Sequence, residues 1–154
     1  PAGSATGDTA ETLKQDWPLA LAALLAIAGT AAHGQTASLD FGTPGRSGSA
    51  VIRCADGRAT LSLWAGKPPR GVRADEFTTT VRFFQKGRAI SLAARGEAAG
   101  DAPVRLDVAL ADPAAFLAGI RRNGRLVAVS YAGRTMQALP PKDAIQNFLD
   151  ACRP

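Results

Sequence analysis

The sequence predicts an α+β fold: an antiparallel β-sheet or sandwich with two helices, preceded by one N-terminal apolar helix. Three observations carry this reading. Apolar residues alternate with a period of two through much of residues 50–139, the signature of half-buried strands. Two stretches, after Asp112 and after Pro141, switch to helical spacing. Trp17 to Ala32 is uninterrupted and apolar.

Composition and charge set the outer bounds. The chain has 154 residues, room for one compact domain and a tail. Its 46% apolar content is ordinary for a globular protein and excludes a collagenous or wholly disordered chain. With one histidine and two cysteines, most zinc sites are excluded, because structural sites take four N/S ligands. Residues 1–40 hold one lysine against four carboxylates, whereas residues 41–154 hold 17 basic and nine acidic side chains. The net charge of +5 therefore resides in the second part. Its arginines are dispersed, and only Arg121, Arg122, Arg125 and Arg134 approach a cluster. This reads as a solvated basic surface, and nucleic acid is not an expected partner.

The elements follow in order. Residues 1–16 are rich in Gly, Ala, Ser and Thr and read as a flexible tail. Residues 17–33 form a transmembrane anchor or signal segment. The charge-free window from Trp17 to Leu39 is long enough to cross a bilayer core, which takes about 20 helical residues. Trp17 suits the interface, and Leu21, Leu24 and Leu25 supply lipid-facing bulk. Pro18 falls in the first helical turn, where its missing N–H costs nothing.

A cleaved secretory signal is the competing reading, with small residues at Ala32 and Gly34 flanking a cut before Gln35. Against it, the preceding stretch is acidic on balance rather than positive. A buried soluble helix is the third reading. Anchor or signal, the remainder is expected outside the cytoplasm, in the periplasm, with residues 1–16 on the cytoplasmic side of an uncleaved anchor. Residues 34–49, with four glycines, read as a Gly/Ser-rich linker.

Residues 50–154 form the expected folded domain. Val51–Cys54, Leu61–Leu63, the β-branched run to Val81 and Phe83, Ile90–Ala94 and Val104–Leu110 alternate as strands. Turn signals at Asp56-Gly57, Lys67-Pro68-Pro69, Lys86-Gly87 and Ala99-Gly100-Asp101 separate them and suggest a meander. Asp112-Pro113 is a cap followed by Pro at the first helical position, and Phe116, Leu117 and Ile120 share one face. Asn123-Gly124 ends that helix. Leu126–Ser130 and Thr135–Leu139 read as two further strands, and Pro140-Pro141 breaks the pair. Asp143–Cys152 follows as the last helix, with Ile145, Phe148, Leu149 and Cys152 on one face. Cys54 and Cys152 stand near opposite ends of an exported domain, which favours a disulfide over two reduced, buried thiols.

Two stretches together resemble a known family. Val51-Ile52-Arg53-Cys54-x-Asp56-x-Arg58-x-Thr60-Leu61-x-Leu63-Trp64 is similar to the opening strand pair of the periplasmic accessory proteins of type VI secretion (the VasI/TagO group). Phe116-Leu117-x-x-Ile120, Gly124-x-Leu126-Val127-Ala128-Val129, Tyr131 and the closing Ala151-Cys152 are similar in order to the family's second half. Leu139-Pro140-Pro141-Lys142-Asp143 departs from its Gly-Leu-rich helix start. The resemblance implies a small exported β-rich domain tied by a Cys54–Cys152 bridge, with a secretion role as one candidate.

Chemistry is sparse in this chain. No Gly-x-Ser-x-Gly elbow is present, and His33, the sole imidazole, stands beside the apolar segment. Asp56, Asp75, Glu76, Glu97, Asp101 and Asp107 fall in turns or on outward strand positions, where solvation explains them. Trp64 and Phe84, on polar strand faces near arginines, read as binding residues or as a second core layer. Arg121, Arg122 and Arg125 complement the helix C-terminus and also suit capture of carboxylates or phosphates. The expectation is therefore a non-enzymatic, anchored accessory subunit without cofactor or metal. It touches the bilayer through residues 17–33 and a larger membrane or envelope complex through its domain. A signal-cleaved periplasmic binding or inhibitor protein is the alternative.

Overall fold

The computed structural model describes residues 36–72 and 75–153. Trp17, Leu21, Leu24, Leu25 and His33, and with them the expected tail and anchor or signal segment, lie outside the described residues. Among the described residues, no helix is long and apolar enough to cross a membrane.

Eight strands and two helices follow one another: β1 Ala37–Phe41, β2 Ala50–Ala55, β3 Arg58–Trp64, β4 Glu76–Gln85, β5 Arg88–Glu97, β6 Arg105–Leu110, α1 Pro113–Arg122, β7 Arg125–Ser130, β8 Gly133–Ala138 and α2 Lys142–Ala151. The fold is α+β. β1 corrects the expected linker: Ala37, Leu39 and Phe41 alternate with Ser38 and Asp40, a period-two pattern hidden among glycines. Its pairing with β2 runs from Ala37↔Cys54 to Phe41↔Ala50.

All eight strands belong to one antiparallel sheet in the order β1-β2-β3-β6-β5-β4-β7-β8. Neither two stacked sheets nor a simple meander is formed. The β4–β5–β6 meander is laid down in reverse, so β6 pairs with β3 and β4 is left to pair with β7. The long connection between β3 and β4 permits this crossing. The tight hairpins follow from turn chemistry. Asp56 and Gly57 have φ of 51° and 70°, the left-handed pair that a two-residue turn requires, and Gly carries the larger share without a Cβ penalty.

The sheet curls on itself. The Gln137 amide of edge strand β8 donates to the Gly48 carbonyl beside β2 at 2.8 Å, bridging the two ends of the sheet. Inward residues of β1 to β7 then share a single core with the helices. Phe41, Ile52, Leu61, Phe83, Leu106 and Leu126 meet Phe116, Leu117 and Ile120 of α1 and Ile145 and Phe148 of α2. Phe83 and Phe116 lie edge to face at 5.2 Å.

The caps match the sequence. Asp112 accepts a hydrogen bond from the Ala115 N–H at 2.8 Å, and Pro113 occupies the first turn of α1. α2 starts after Pro141, as the Pro140-Pro141 break predicts. Cys54 and Cys152 are joined, with Cα atoms 5.6 Å apart. The bridge fixes the end of α2 to β2 across 98 residues.

Candidate interaction surface

Outward side chains of the sheet divide into two zones. At one end of β3, β4, β5 and β6, arginines and carboxylates of neighbouring strands satisfy one another. Trp64 stands opposite Arg105, which stands opposite Glu97, which stands opposite Glu76. Arg105 pairs with Glu97 and, at 3.0 Å, with Asp107; Arg95 pairs with Glu76. Ser62, buried on this face, donates to Asp107 at 2.6 Å. The hydrogen bond and charge of Glu76 raise the Arg95 guanidinium above its ordinary value. Glu76, Glu97 and Asp107 are therefore partners of arginine. Among the described residues, no group of three His, Cys, Asp or Glu side chains could hold a metal ion.

Trp64 is half-buried on that face, and its backbone is tied to the β1–β2 connection through Ser49 and Gly48. Val51 is fully buried on the same outward side of β2. The outward side is thus partly covered at this end.

Phe84 belongs to the other zone. It is 36% exposed near the β4–β5 turn, at the opposite end of β4 from Glu76 and hence from Trp64. The register that puts Arg82 opposite Val129 and Phe83 opposite Ala128 brings Phe84 opposite Val127, and Val127 stands opposite Met136. Val127 is buried and Met136 is 51% exposed, so the three make an apolar ridge across β4, β7 and β8. Met136 and Val127 carry no binding signal in the sequence. Which strand lies beside β4 is a tertiary fact, and only that neighbour turns Phe84 into part of a ridge.

Cations frame the ridge. Phe84, Lys86, Arg125, Val127 and Arg134 line one open hollow of about 430 Å³, and Arg125 with Met136 lines the next. Arg121 and Arg122 fill the last turn of α1, exposed to solvent. Asn123 closes that helix and donates its side-chain amide to the Arg125 carbonyl at 3.2 Å, which sets the approach of β7. Gly119 lets α1 settle here: a Cβ at that position would overlap the buried Gln85 side chain. Among the described residues, Lys86, Arg121, Arg122, Arg125 and Arg134 take part in no ion pair. The structure thus brings Phe84 together with Arg125 and Arg134 and leaves Trp64 at the other end, while Arg121 and Arg122 stand on α1. Among family models, curated proteins and solved structures, none matches this chain.

Proposed function

We propose that the protein is a non-catalytic, membrane-anchored accessory subunit whose periplasmic domain binds a larger envelope complex by contact. The supporting observation is the Phe84–Val127–Met136 ridge, framed by cations that have no acidic partner among the described residues. Exposed apolar side chains within a polar, arginine-rich rim have the anatomy of a binding patch. Guanidinium groups recognise carboxylates with paired donors, which directs such a patch to an acidic partner surface.

The arginines near the end of α1 complement the helix dipole, and that role alone does not require Lys86 or Arg134 beside them. The resemblance to type VI secretion accessory proteins makes one such complex a candidate. The anchor is the preferred state of the apolar segment. Mass analysis tests it: the anchored form retains residues 1–34, and a cut before Gln35 removes them, about 3 kDa at roughly 0.1 kDa per residue.

The contact reading is tested by Arg121→Ala combined with Arg125→Ala in the full chain. Folding is retained, recovery of the partner after cross-linking falls, and the difference from the parent narrows at raised ionic strength, where the charges are screened. Equal recovery with the parent overturns the assignment to this patch.

A further inference from the structure

The sheet contains an internal free edge. β5 and β6 are neighbours, yet only Arg95↔Asp107, Gly96↔Leu106 and Glu97↔Arg105 pair across them. Both strands continue beyond that point, β5 back to Arg88 and β6 on to Leu110. Over this stretch β5 remains fully paired with β4, and β6 with β3. The two strands fork.

Register identifies the unpaired groups. Lys86-Gly87 is a two-residue turn closed by the Gln85↔Arg88 pair, and antiparallel pairs alternate between bonded and unbonded. Arg88, Ile90, Leu92 and Ala94 therefore bond β4, while Ala89, Ser91 and Ala93 turn their N–H and C=O groups toward β6. The same counting from the Asp56-Gly57 turn, through β3, turns Arg105, Asp107 and Ala109 toward β5. Two independent routes thus agree with the observed Arg95↔Asp107 and Glu97↔Arg105 pairs. Ala89, Ser91, Ala93 and Ala109 are all exposed, and no other hydrogen bond among the described residues reaches their backbones.

The fork is roomy and has an apolar floor. Ile90, Leu92, Leu110 and Phe116 line a hollow of about 230 Å³ with Arg88 at its mouth. Through Ala109 it meets a second hollow of about 510 Å³ beside Ala93 and Arg95. Ile90 and Leu92 point inward but are only half-buried, because no strand covers them.

We propose that this fork accepts an extended peptide segment of a partner protein as an inserted strand. Its backbone pairs with Ala89, Ser91 and Ala93, and one aliphatic side chain rests over Phe116. The occupant is chosen by chemistry: donors and acceptors recurring every second residue, about 6.8 Å apart, match an extended peptide backbone. A lipid chain covers the apolar floor and leaves that ladder unmet. Charge adds direction. Asp112 is engaged in capping Ala115 and Asp107 in holding Arg105 and Ser62, while Arg88 is bound only through Nε to Gln85. An acidic residue at the peptide end nearest Arg88 completes the fit.

The test is selection of phage-displayed nonapeptides on the full chain, followed by affinity and amide-exchange measurements with the selected peptides. Two variants accompany the parent. Ser91→Pro removes an N–H that faces the fork and leaves every bond to β4 in place. Ala109→Trp fills the fork from β6 and guards against misfolding of the proline variant. The expected result is peptides of alternating aliphatic pattern that slow exchange at Ser91 and Ala93 and bind each variant at least about tenfold more weakly, the loss of one or two net hydrogen bonds. Arg121→Ala with Arg125→Ala leaves this binding unchanged, so the fork and the basic patch stand or fall separately. No enriched peptide, equal affinity for parent and variants, or protection confined to other amides overturns the proposal.

Discussion

Trp64 and Phe84 both project from the outward side of the same sheet, each near arginines, and their surroundings differ. Around Trp64, Arg105 and Arg95 are satisfied by Glu97, Asp107 and Glu76, and the indole is half-buried. Around Phe84, the ring is exposed and Lys86, Arg125 and Arg134 have no ion-pair partner among the described residues. The first zone closes on itself and the second is left open. An aromatic beside arginines therefore points to binding only where the surrounding charges are not already matched.

The largest expected effect is on the frame that holds both zones. Cys54→Ser with Cys152→Ser releases a constraint across 98 residues, worth about 4–5 kcal/mol by the loop-entropy estimate. Denaturant unfolding should show a loss of unfolding free energy of that order, and a loss below about 1 kcal/mol means that core packing alone anchors α2 to β2.

The next effect separates the zones. Arg121→Ala with Arg125→Ala should weaken association about tenfold or more, roughly 1.4 kcal/mol, with little change in unfolding. Glu97→Gln, in the zone of matched charges, should leave association intact.

Tyr131 gives an effect of similar or smaller size at the far end of β7. Its ring meets Phe77 edge to face at 5.8 Å, and its hydroxyl is buried without a hydrogen-bond partner among the described residues. Tyr131→Phe removes that unmet polar group and should be neutral or stabilising by up to about 1 kcal/mol. Burial also raises the phenol pKa above its ordinary value. A group whose folded pKa is raised stabilises the fold fully below its unfolded value and loses that contribution as pH rises. Parent stability should therefore fall from about pH 10 upward more than that of Tyr131→Phe, measured by unfolding at each pH.

The smallest effect is in the ladder of paired charges. Arg105 and Glu97 have side-chain exposures of 43% and 50%, so solvent screens their pair. Glu97→Gln should cost at most a few tenths of a kcal/mol, about the worth of an exposed pair. A larger loss by thermal unfolding would show that the ladder acts as a cooperative network.

Local signals carried much of the fold. Asp112-Pro113, Asn123-Gly124, Asp56-Gly57 and Pro140-Pro141 place helix ends and turns because each acts within four residues of chain. Phe116, Leu117 and Ile120 name their own buried face. Strand order was not legible, because the pairing of β3 with β6 joins residues 41 to 51 positions apart. β1 was concealed by the glycines and hydroxyls around it, although its inward Leu39 and Phe41 are buried. Of the expected binding residues, Phe84 and Arg125 line one hollow, Arg121 and Arg122 stand on α1, and Trp64 lies elsewhere on the sheet. Met136 and Val127 join them only through the β4–β7–β8 pairing.

The claim that the domain works through its open zone is tested most directly by placing a photo-reactive side chain at Met136, and separately at Arg53, in the full chain in cells. Met136 is exposed on the ridge, and Arg53 is exposed on the outward side of β2, outside the ridge and the cations that frame it. The account predicts one discrete cross-linked adduct from position 136, diminished by Arg121→Ala with Arg125→Ala, and none from position 53. Adducts of equal yield from both positions, or from position 53 alone, would contradict it.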